Sequence, residues 1–340
     1  MLVSDFDYRL PAELIAQTPP QDRASSRMLV VSRAAQRFHD DQFVNFPKYC
    51  RPGDCLVLNN TRVFPARLIG RRNRASGAEI EAFLVRASQN DPHRWSALVR
   101  PAKRVRRGDL IEFASGLSAE VIAEGEFGER DLLFHSSLPL EEAFERFGRT
   151  PLPPYIHREP DALDRERYQT VFAEHRGSVA APTAGLHFTD EILNACAAAG
   201  ADLARVTLHV GLGTFAPLRE NDVSRVELHK EFFEISEEAS KKLASAERIL
   251  CVGTTSVRTV ETAALRGAWL PLQGETNLFI HPGFSFRATG AMLTNFHLPK
   301  SSLLLLVCAF GGTDLILSAY RHAVSSRYRF FSYGDCMLIT

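Results

Sequence analysis

Two hydrophobic rhythms share this chain, and the place where one interrupts the other constrains the fold more than any other feature. Over roughly residues 62–150 the sequence runs in short β-rich stretches: Glu79–Val85, Trp95–Arg100, Asp109–Phe113 and Leu132–His135. Gly, Asn and Asp punctuate them. Short strands with regular turn signals predict a small antiparallel sheet or barrel. On either side, strands alternate with helical patterns. Cys55–Asn59 reads as a strand, and a helix begins at Glu191, capped by Thr189 and stopped at Gly200. Ala204–Val210 is the next strand and Ala239–Ala246 the next helix. Arg248–Val252 is a strand, Val257–Arg266 a helix ended by Gly267, and the apolar run Leu303–Ala309 a further buried strand. This alternation predicts an α/β class chain with a layered architecture. The β-rich stretch is then an insertion: residues 1–61 plus 151–340 form the α/β domain and 62–150 a small antiparallel sheet or barrel.

Charge is not evenly spread either. The chain has 40 Lys+Arg and 40 Asp+Glu, a formal net charge of zero, which excludes a globally basic protein. Yet residues 61–120 hold twelve Lys/Arg against six Asp/Glu, so that stretch carries +6 and the remainder −6. Apolar residues at 45% and charged residues at 24% exclude collagen, coiled coil and disorder. The N-terminal MLVSDFDYRL lacks the basic-then-apolar order of a signal peptide. The longest apolar run, Leu303 to Phe310, falls far short of the ~20 residues that span a bilayer. Six scattered cysteines with no CxxC pair predict free thiols, no zinc site and a cytoplasmic protein without membrane contact.

Four polar loops could carry chemistry, because ligands gather where strands end. In Cys251-Val252-Gly253-Thr254-Thr255-Ser256-Val257-Arg258 a strand passes through Gly into a hydroxyl-rich helix start, suited to a carboxylate or phosphate and equally to plain N-capping. It lacks the GK[ST] ending of a Walker loop. In Thr207-Leu208-His209-Val210-Gly211-Leu212-Gly213-Thr214-Phe215, two glycines after a strand allow close backbone approach, or make a simple turn. In Ala181-Pro182-Thr183-Ala184-Gly185-Leu186-His187-Phe188-Thr189, His187 is a proton carrier or a hydrogen-bonded core residue. Leu293-Thr294-Asn295-Phe296-His297-Leu298-Pro299-Lys300-Ser301-Ser302 gathers Asn, His, Lys and Ser in one loop. Two further features are the basic run Arg100-Pro101-Ala102-Lys103-Arg104-Val105-Arg106-Arg107 and the pair His229 and Glu231. The first is either a solvated run or the footprint of a phosphate-backbone partner. The pair would share one strand face, as a base and its orienter or as a surface pair.

Taken together and in order, these loops resemble the S-adenosylmethionine:tRNA ribosyltransferase-isomerase family of queuosine biosynthesis. The resemblance rests also on Leu58-Asn59-Asn60-Thr61-Arg62-Val63, Pro151-Leu152-Pro153-Pro154-Tyr155-Ile156, Arg167-Tyr168-Gln169-Thr170-Val171-Phe172 and Tyr328-Arg329-Phe330-Phe331-Ser332-Tyr333-Gly334-Asp335. It spans nearly the whole chain. Leu228, Asn277 and His281 depart from the family pattern, and Asn277 is given no proton-transfer role. The family implies a three-layer α/β/α domain, here residues 1–61 plus 151–340, with an inserted small antiparallel β-barrel domain at 62–150. It also implies transfer and isomerisation of the ribosyl group of S-adenosylmethionine onto 7-aminomethyl-7-deazaguanine at the wobble position of tRNA. Adenine and methionine are released, and epoxyqueuosine-tRNA is formed.

Such chemistry needs a base for the proton on the ribose 5′ carbon, which the sulfonium acidifies. It also needs an acid for the departing adenine and a site that excludes water. On the resemblance, His187 and His297, with His209 and His229, form the acid/base pool. Thr254, Thr255, Ser256 and Arg258 hold the methionine end, and Gly211 and Gly213 admit the nucleoside. Asn59, Asn60, Arg62, Thr183, Gly185, Asn295 and Lys300 contact substrate. Arg100, Lys103, Arg104, Arg106 and Arg107 hold RNA backbone. S-adenosylmethionine enters as substrate, no metal is implied, and the enzyme acts as a monomer. The rivals are an S-adenosylmethionine-dependent RNA methyltransferase, for which the GxGxG strand exit is missing, and a non-catalytic tRNA-binding protein.

Overall fold

The structure is a computed structural model. It describes all of residues 1–340 except 74–76, 78, 89, 212–217, 219 and 268. In chain order the first strands are β1 (Arg27–Ser32), β2 (Arg37–Gln42), β3 (Asp54–Asn59) and β4 (Thr61–Val63). Next come β5 (Arg67–Arg72), β6 (Glu79–Ala87), β7 (Arg94–Arg100), β8 (Leu110–Ala114), β9 (Leu117–Glu124) and β10 (Glu129–Ser136). Helices α1 (Leu140–Phe147) and α2 (Ala162–Arg167), strand β11 (His175–Ser178), helix α3 (Asp190–Ala198) and strand β12 (Asp202–Leu208) follow. Then come β13 (Glu231–Ile235), α4 (Glu237–Ser245), β14 (Arg248–Val252), α5 (Thr254–Leu265), β15 (Leu272–Thr276) and β16 (Thr289–Asn295). The chain closes with α6 (Ser302–Gly311), α7 (Thr313–Ser325) and β17 (Cys336–Ile339).

Among the described residues these strands make a nine-stranded sheet, a closed six-stranded barrel and the short pair β4–β11. The large sheet runs β15-β13-β12-β3-β14-β16-β17-β1-β2. Its centre, β12-β3-β14-β16, is parallel, with β3 paired to both β12 and β14. Both faces are buried, as a parallel sheet requires. In β3, Cys55 and Val57 join one core with residues of α4, α5, α6 and α7. Leu56 and Leu58 join the other with α3 and the turns around Phe43 and Phe188. The period-two alternation of the strand thus builds two cores and three layers.

The barrel closes in the order β10-β7-β6-β5-β8-β9, with every neighbouring pair antiparallel. Leu68, Ile80, Ala82, Leu84, Ala97, Val99, Ile111, Ala119, Val121 and Leu132 fill it. Helix α1 covers it near Trp95, where Phe144 packs edge-on at 5.3 Å. Closure leaves no free sheet edge, so a small module of this composition holds together beside the main sheet.

Three local expectations change. Leu303–Ala309 is not a strand but the middle of α6, capped by the Ser301 hydroxyl, which accepts from Leu304 N at 3.2 Å. Buried nearly all round, this helix has no polar face to reveal its period. Helix α5 begins at Thr254 rather than Val257, with Gly253 as its cap residue. Strand β13 begins at Glu231, so His229 lies exposed in the preceding loop and shares no strand face with Glu231. Strands β5 and β9 complete the barrel beyond the four stretches read from the sequence.

Candidate active site

The carboxyl ends of the four parallel strands lie along one edge of the sheet: Asn59 on β3, Leu208 on β12, Val252 on β14 and Asn295 on β16. From β3 the chain returns on one side, at β12, while from β14 it proceeds to the other side, at β16. The gap between β3 and β14 is therefore the point where connections diverge, the usual ligand position in open α/β sheets. Asn59 bridges it. Its amide donates to Leu208 O at 3.0 Å and Thr255 Oγ1 at 3.2 Å, and accepts from Thr61 N and Leu208 N. Asn60 is likewise engaged, accepting from Thr207 Oγ1 at 2.8 Å and donating to Glu174 at 3.2 Å. Both amides are committed to the chain itself, and they brace the strand ends.

Beside them opens a cavity of about 210 Å³. Of the residues expected from the sequence, Thr183, Thr254, Thr255, Asn295, His297 and Lys300 line it. Helix α5 supplies its N-terminus there. Gly253 takes a left-handed φ of 85° and offers no side-chain cap, so the positive end of the helix faces the cavity uncapped by a side chain. Lys300 also has a positive φ, 58°, and its ammonium pairs with Asp7 at 2.7 Å on the half-exposed rim.

His297 lies on the wall, with Nε2 at 2.7 Å from Thr294 Oγ1. Its backbone N–H donates to Tyr320 Oη at 3.1 Å, and its carbonyl accepts from the Tyr8 hydroxyl. Burial pushes its pKa down to about 3, so the ring is neutral at pH 7. The neutral ring carries a lone pair, and the same burial makes it a weaker base than a solvated imidazole.

The other three histidines are elsewhere. His187 is buried between Ser26, 2.9 Å from Nδ1, and the Phe43 ring, and does not line the cavity. Burial lowers its pKa to about 4, while Asn295 raises its basicity. Its Nε2 and Asn295 Oδ1 are both buried without a hydrogen-bond partner among the described residues. His209 bonds Thr61 Oγ1 at 2.8 Å and stacks on Phe232, its pKa lowered to about 4 by burial and by His175. His229 is exposed.

Two further expected residues make their visible contacts inside the chain, although Arg258 Nη2 is buried without a hydrogen-bond partner among the described residues. The Ser256 hydroxyl turns back to Val252 O at 2.8 Å inside the helix. Arg258 is buried, pairs with buried Glu231 and donates from Nε to Leu278 O at 3.1 Å. Glu231 in turn accepts from Gly211 N at 2.9 Å. The pair braces the Gly211 loop rather than facing the cavity. Gly213 lies outside the described residues. Gly185 packs on Thr170 and Phe172, where an added Cβ would come within 2.7 Å of Thr170 Cγ2. Arg62 is exposed on β4, away from the cavity lining.

Tyr155, Phe331 and Ser332 also line the cavity, and nothing in their local sequence marks them as site residues. Tyr155 stacks on Phe331 with centroids 4.5 Å apart, and its hydroxyl meets Ser332 Oγ at 2.7 Å. Phe331 sits at φ 70°, an uncommon conformation for a bulky residue, and its carbonyl is held by Asn295 Nδ2 at 2.9 Å. The family motifs that contain them were the available signal.

Arg100, Lys103, Arg104, Arg106 and Arg107 are all exposed on the barrel. Arg106 pairs with Glu124 at 3.2 Å. The described residues include no group of three or more His, Cys, Asp or Glu placed to hold a metal. All six cysteines are buried and unpaired. No single described helix is long and apolar enough to cross a membrane, and α6 and α7, apolar enough together, meet at a 116° bend.

Fold and cavity define an α/β protein with a cavity at the carboxyl ends of its parallel strands and a separate barrel that carries an exposed basic turn. Comparison sharpens that class. The queuosine biosynthesis protein family matches residues 3–339, and the chain belongs to that family. It is 57% identical to a Solibacter usitatus protein named S-adenosylmethionine:tRNA ribosyltransferase-isomerase, with all of both chains covered. A Symbiobacterium thermophilum protein of the same name is 50% identical over all of both chains. The crystal structure of S-adenosylmethionine tRNA ribosyltransferase from Thermotoga maritima is 38% identical. It covers 99% of this chain and 100% of its own, with a TM-score of 0.57.

Proposed function

We propose that this protein is an S-adenosylmethionine:tRNA ribosyltransferase-isomerase. It moves the ribosyl group of S-adenosylmethionine onto the aminomethyl nitrogen of 7-aminomethyl-7-deazaguanine at the tRNA wobble position and rearranges it to give epoxyqueuosine-tRNA. Adenine and methionine leave. The observation that carries this reading is full-length identity of 57% to an enzyme of that name.

The site chemistry supports it. The N–H groups at the start of α5, with Thr254 and Thr255, suit the methionine carboxylate, and Lys300 adds positive charge at the rim. His297, neutral and on the wall, is the proton acceptor for the ribose 5′ carbon. His187 acts from behind Asn295 as a positioning residue, and His209 braces β12 against Thr61. Tyr155 and Phe331 provide an aromatic wall for a base. In this reading residues 62–150 are the RNA-facing domain inserted into a catalytic domain of 1–61 and 151–340. The enzyme works as a cytoplasmic monomer.

The test is a product assay with S-adenosylmethionine and tRNA carrying 7-aminomethyl-7-deazaguanine. Adenine and methionine should be released together, and only with the modified tRNA. S-adenosylhomocysteine instead would mean a methyltransferase. Tight tRNA binding with no consumption of S-adenosylmethionine would mean a binding protein.

A further inference from the structure

The strand registers divide the barrel into two ends. The chain enters at Arg67 and leaves after Ser136, and these mark the end covered by α1. Arg72, Arg100, Leu110, Glu124 and Glu129 mark the opposite end. The basic run lies there and is built to be rigid. Val105 is 0% exposed and plugs the barrel core. Buried Arg130 donates to Val105 O at 3.0 Å and Ala102 O at 2.9 Å, tying the run to β10. Arg100, Lys103, Arg104 and Arg107 project from this fixed turn, and no ion pair joins any of their side chains to a described residue.

Against the same turn stands a second one, Gly125–Glu129, closed by Gly125 N donating to Glu129 O at 2.9 Å. It approaches so closely that a Cβ on Gly128 would meet Ala102 Cβ at 3.3 Å. At its apex Phe127 is 80% exposed, the highest value among the described large hydrophobic side chains. Its φ is 51° and ψ 25°, the left-handed region that suits Gly or Asn and penalises a bulky residue. Burial does not explain a phenylalanine here, and backbone preference opposes it. Outliers of this kind point to function. An exposed aromatic beside cations that stand in solvent is the pattern that binds single-stranded nucleic acid, with the ring stacking on a base and the cations holding phosphates.

We infer that Phe127 and the rigid basic turn form one platform, on which the ring stacks on an unpaired RNA base while Arg100, Lys103, Arg104 and Arg107 hold the flanking phosphates. This rests on the proposed function, in which the barrel faces RNA. It adds a base-stacking residue at the barrel end remote from the chain crossing.

The test uses the full chain and its tRNA substrate. Phe127→Ala should weaken binding about 5- to 150-fold. The salt slope should stay unchanged, because a neutral ring releases no counterions. Phe127→Tyr should restore affinity. Phe127→Asn should lose affinity while melting no lower than wild type, since Asn accepts this φ more readily. Phe127→Trp emission should be quenched by a single-stranded oligoribonucleotide and not by a blunt RNA duplex. Wild-type tRNA affinity in Phe127→Ala would overturn the inference, as would emission indifferent to RNA or quenched only by an acidic polypeptide. If Arg104→Ala/Arg107→Ala lowers the salt slope while Phe127→Ala changes nothing, the stack alone fails. If neither variant changes binding, the RNA-facing reading of the barrel fails with it.

Discussion

The cavity at the strand ends and the far end of the barrel are polar in opposite ways. In the cavity wall and its supports, polar groups are buried and mostly engaged: Asn59, Asn60, His297 and the Glu231–Arg258 pair all have partners inside the chain. At the barrel's end, Arg100, Lys103, Arg104 and Arg107 stand in solvent. The first arrangement gives geometry and resists water. The second gives long-range attraction that salt screens. A protein that must seat a small reactive nucleoside and also hold a large polyanion can divide those tasks between two modules.

The sharpest break of that division is His297→Ala. On its proposed role as proton acceptor, its loss should lower kcat about 100- to 10,000-fold, with tRNA affinity unchanged. Single-turnover kinetics beside a binding titration separate the two. His187→Ala, with its ring behind Asn295, should affect kcat less than His297→Ala does. The reverse order would move the acceptor role to His187.

Next is the buried pair. Glu231→Gln leaves the Arg258 guanidinium buried without a counter-charge, which costs about 3–5 kcal/mol in such settings. Thermal or denaturant melting should show that loss. Glu231→Gln/Arg258→Met should regain much of the stability but leave the Gly211 loop without its carboxylate brace, and so stay poorly active. An unchanged midpoint for Glu231→Gln would show the pair to be dispensable.

Titration distinguishes the regions a third way. Burial lowers the pKa of His187 to about 4 and of His297 to about 3, whereas an unfolded histidine titrates near 6.5. The unfolded chain therefore takes up protons that the folded chain refuses. The stability is fully present above pH 6.5 and declines as the pH falls toward 4. Each buried histidine adds a slope approaching about 1.4 kcal/mol per pH unit. Melting between pH 6.5 and 4.5 should show the decline, and His297→Gln should flatten it. A flat wild-type profile would contradict the burial of these rings.

Much of this architecture is legible in the sequence, and the omissions have physical causes. Strand alternation in Glu79–Val85 and Trp95–Arg100 announces the barrel, because one face of each strand is inside and the other wet. Strand β5 escapes notice because Arg67, Gly70, Arg71 and Arg72 hide its pattern. Leu303–Ala309 reads as a strand because a segment buried all round shows no period, and only the Ser301 cap marks it as a helix start. The four polar loops are visible as strand exits and do meet around one region. Which side chains face the cavity is not visible. Local sequence cannot reveal that Glu231 claims Arg258 across 27 positions, or that the turn before β17 brings Ser332, with Phe331, against Tyr155, 177 positions earlier than Ser332. Those outcomes belong to topology.

Salt dependence sharpens the comparison from the barrel side. Arg104→Ala/Arg106→Ala/Arg107→Ala should make the slope of log K against log salt shallower by about 0.7–0.9 for each phosphate that is no longer neutralised, with kcat at saturating tRNA unchanged. Arg106 should contribute least, since Glu124 already neutralises it. A wild-type slope would remove RNA from this face.

The smallest effect falls on the cavity rim, where the two kinds of polarity meet. Lys300 and Asp7 form an ion pair at 2.7 Å with side chains 51% and 48% exposed. At that exposure water screens the charges, and such pairs contribute about 0–1 kcal/mol. Asp7→Asn should therefore leave the melting midpoint nearly where it was, unlike Glu231→Gln, although both remove one carboxylate from an ion pair. It should also free the ammonium for an anionic substrate group and lower KM for S-adenosylmethionine slightly, most visibly at low salt. A melting loss as large as that of the buried pair would mean that the rim is part of the rigid wall. In that case Lys300, fixed at φ 58°, holds the loop before α6 and does not greet the substrate.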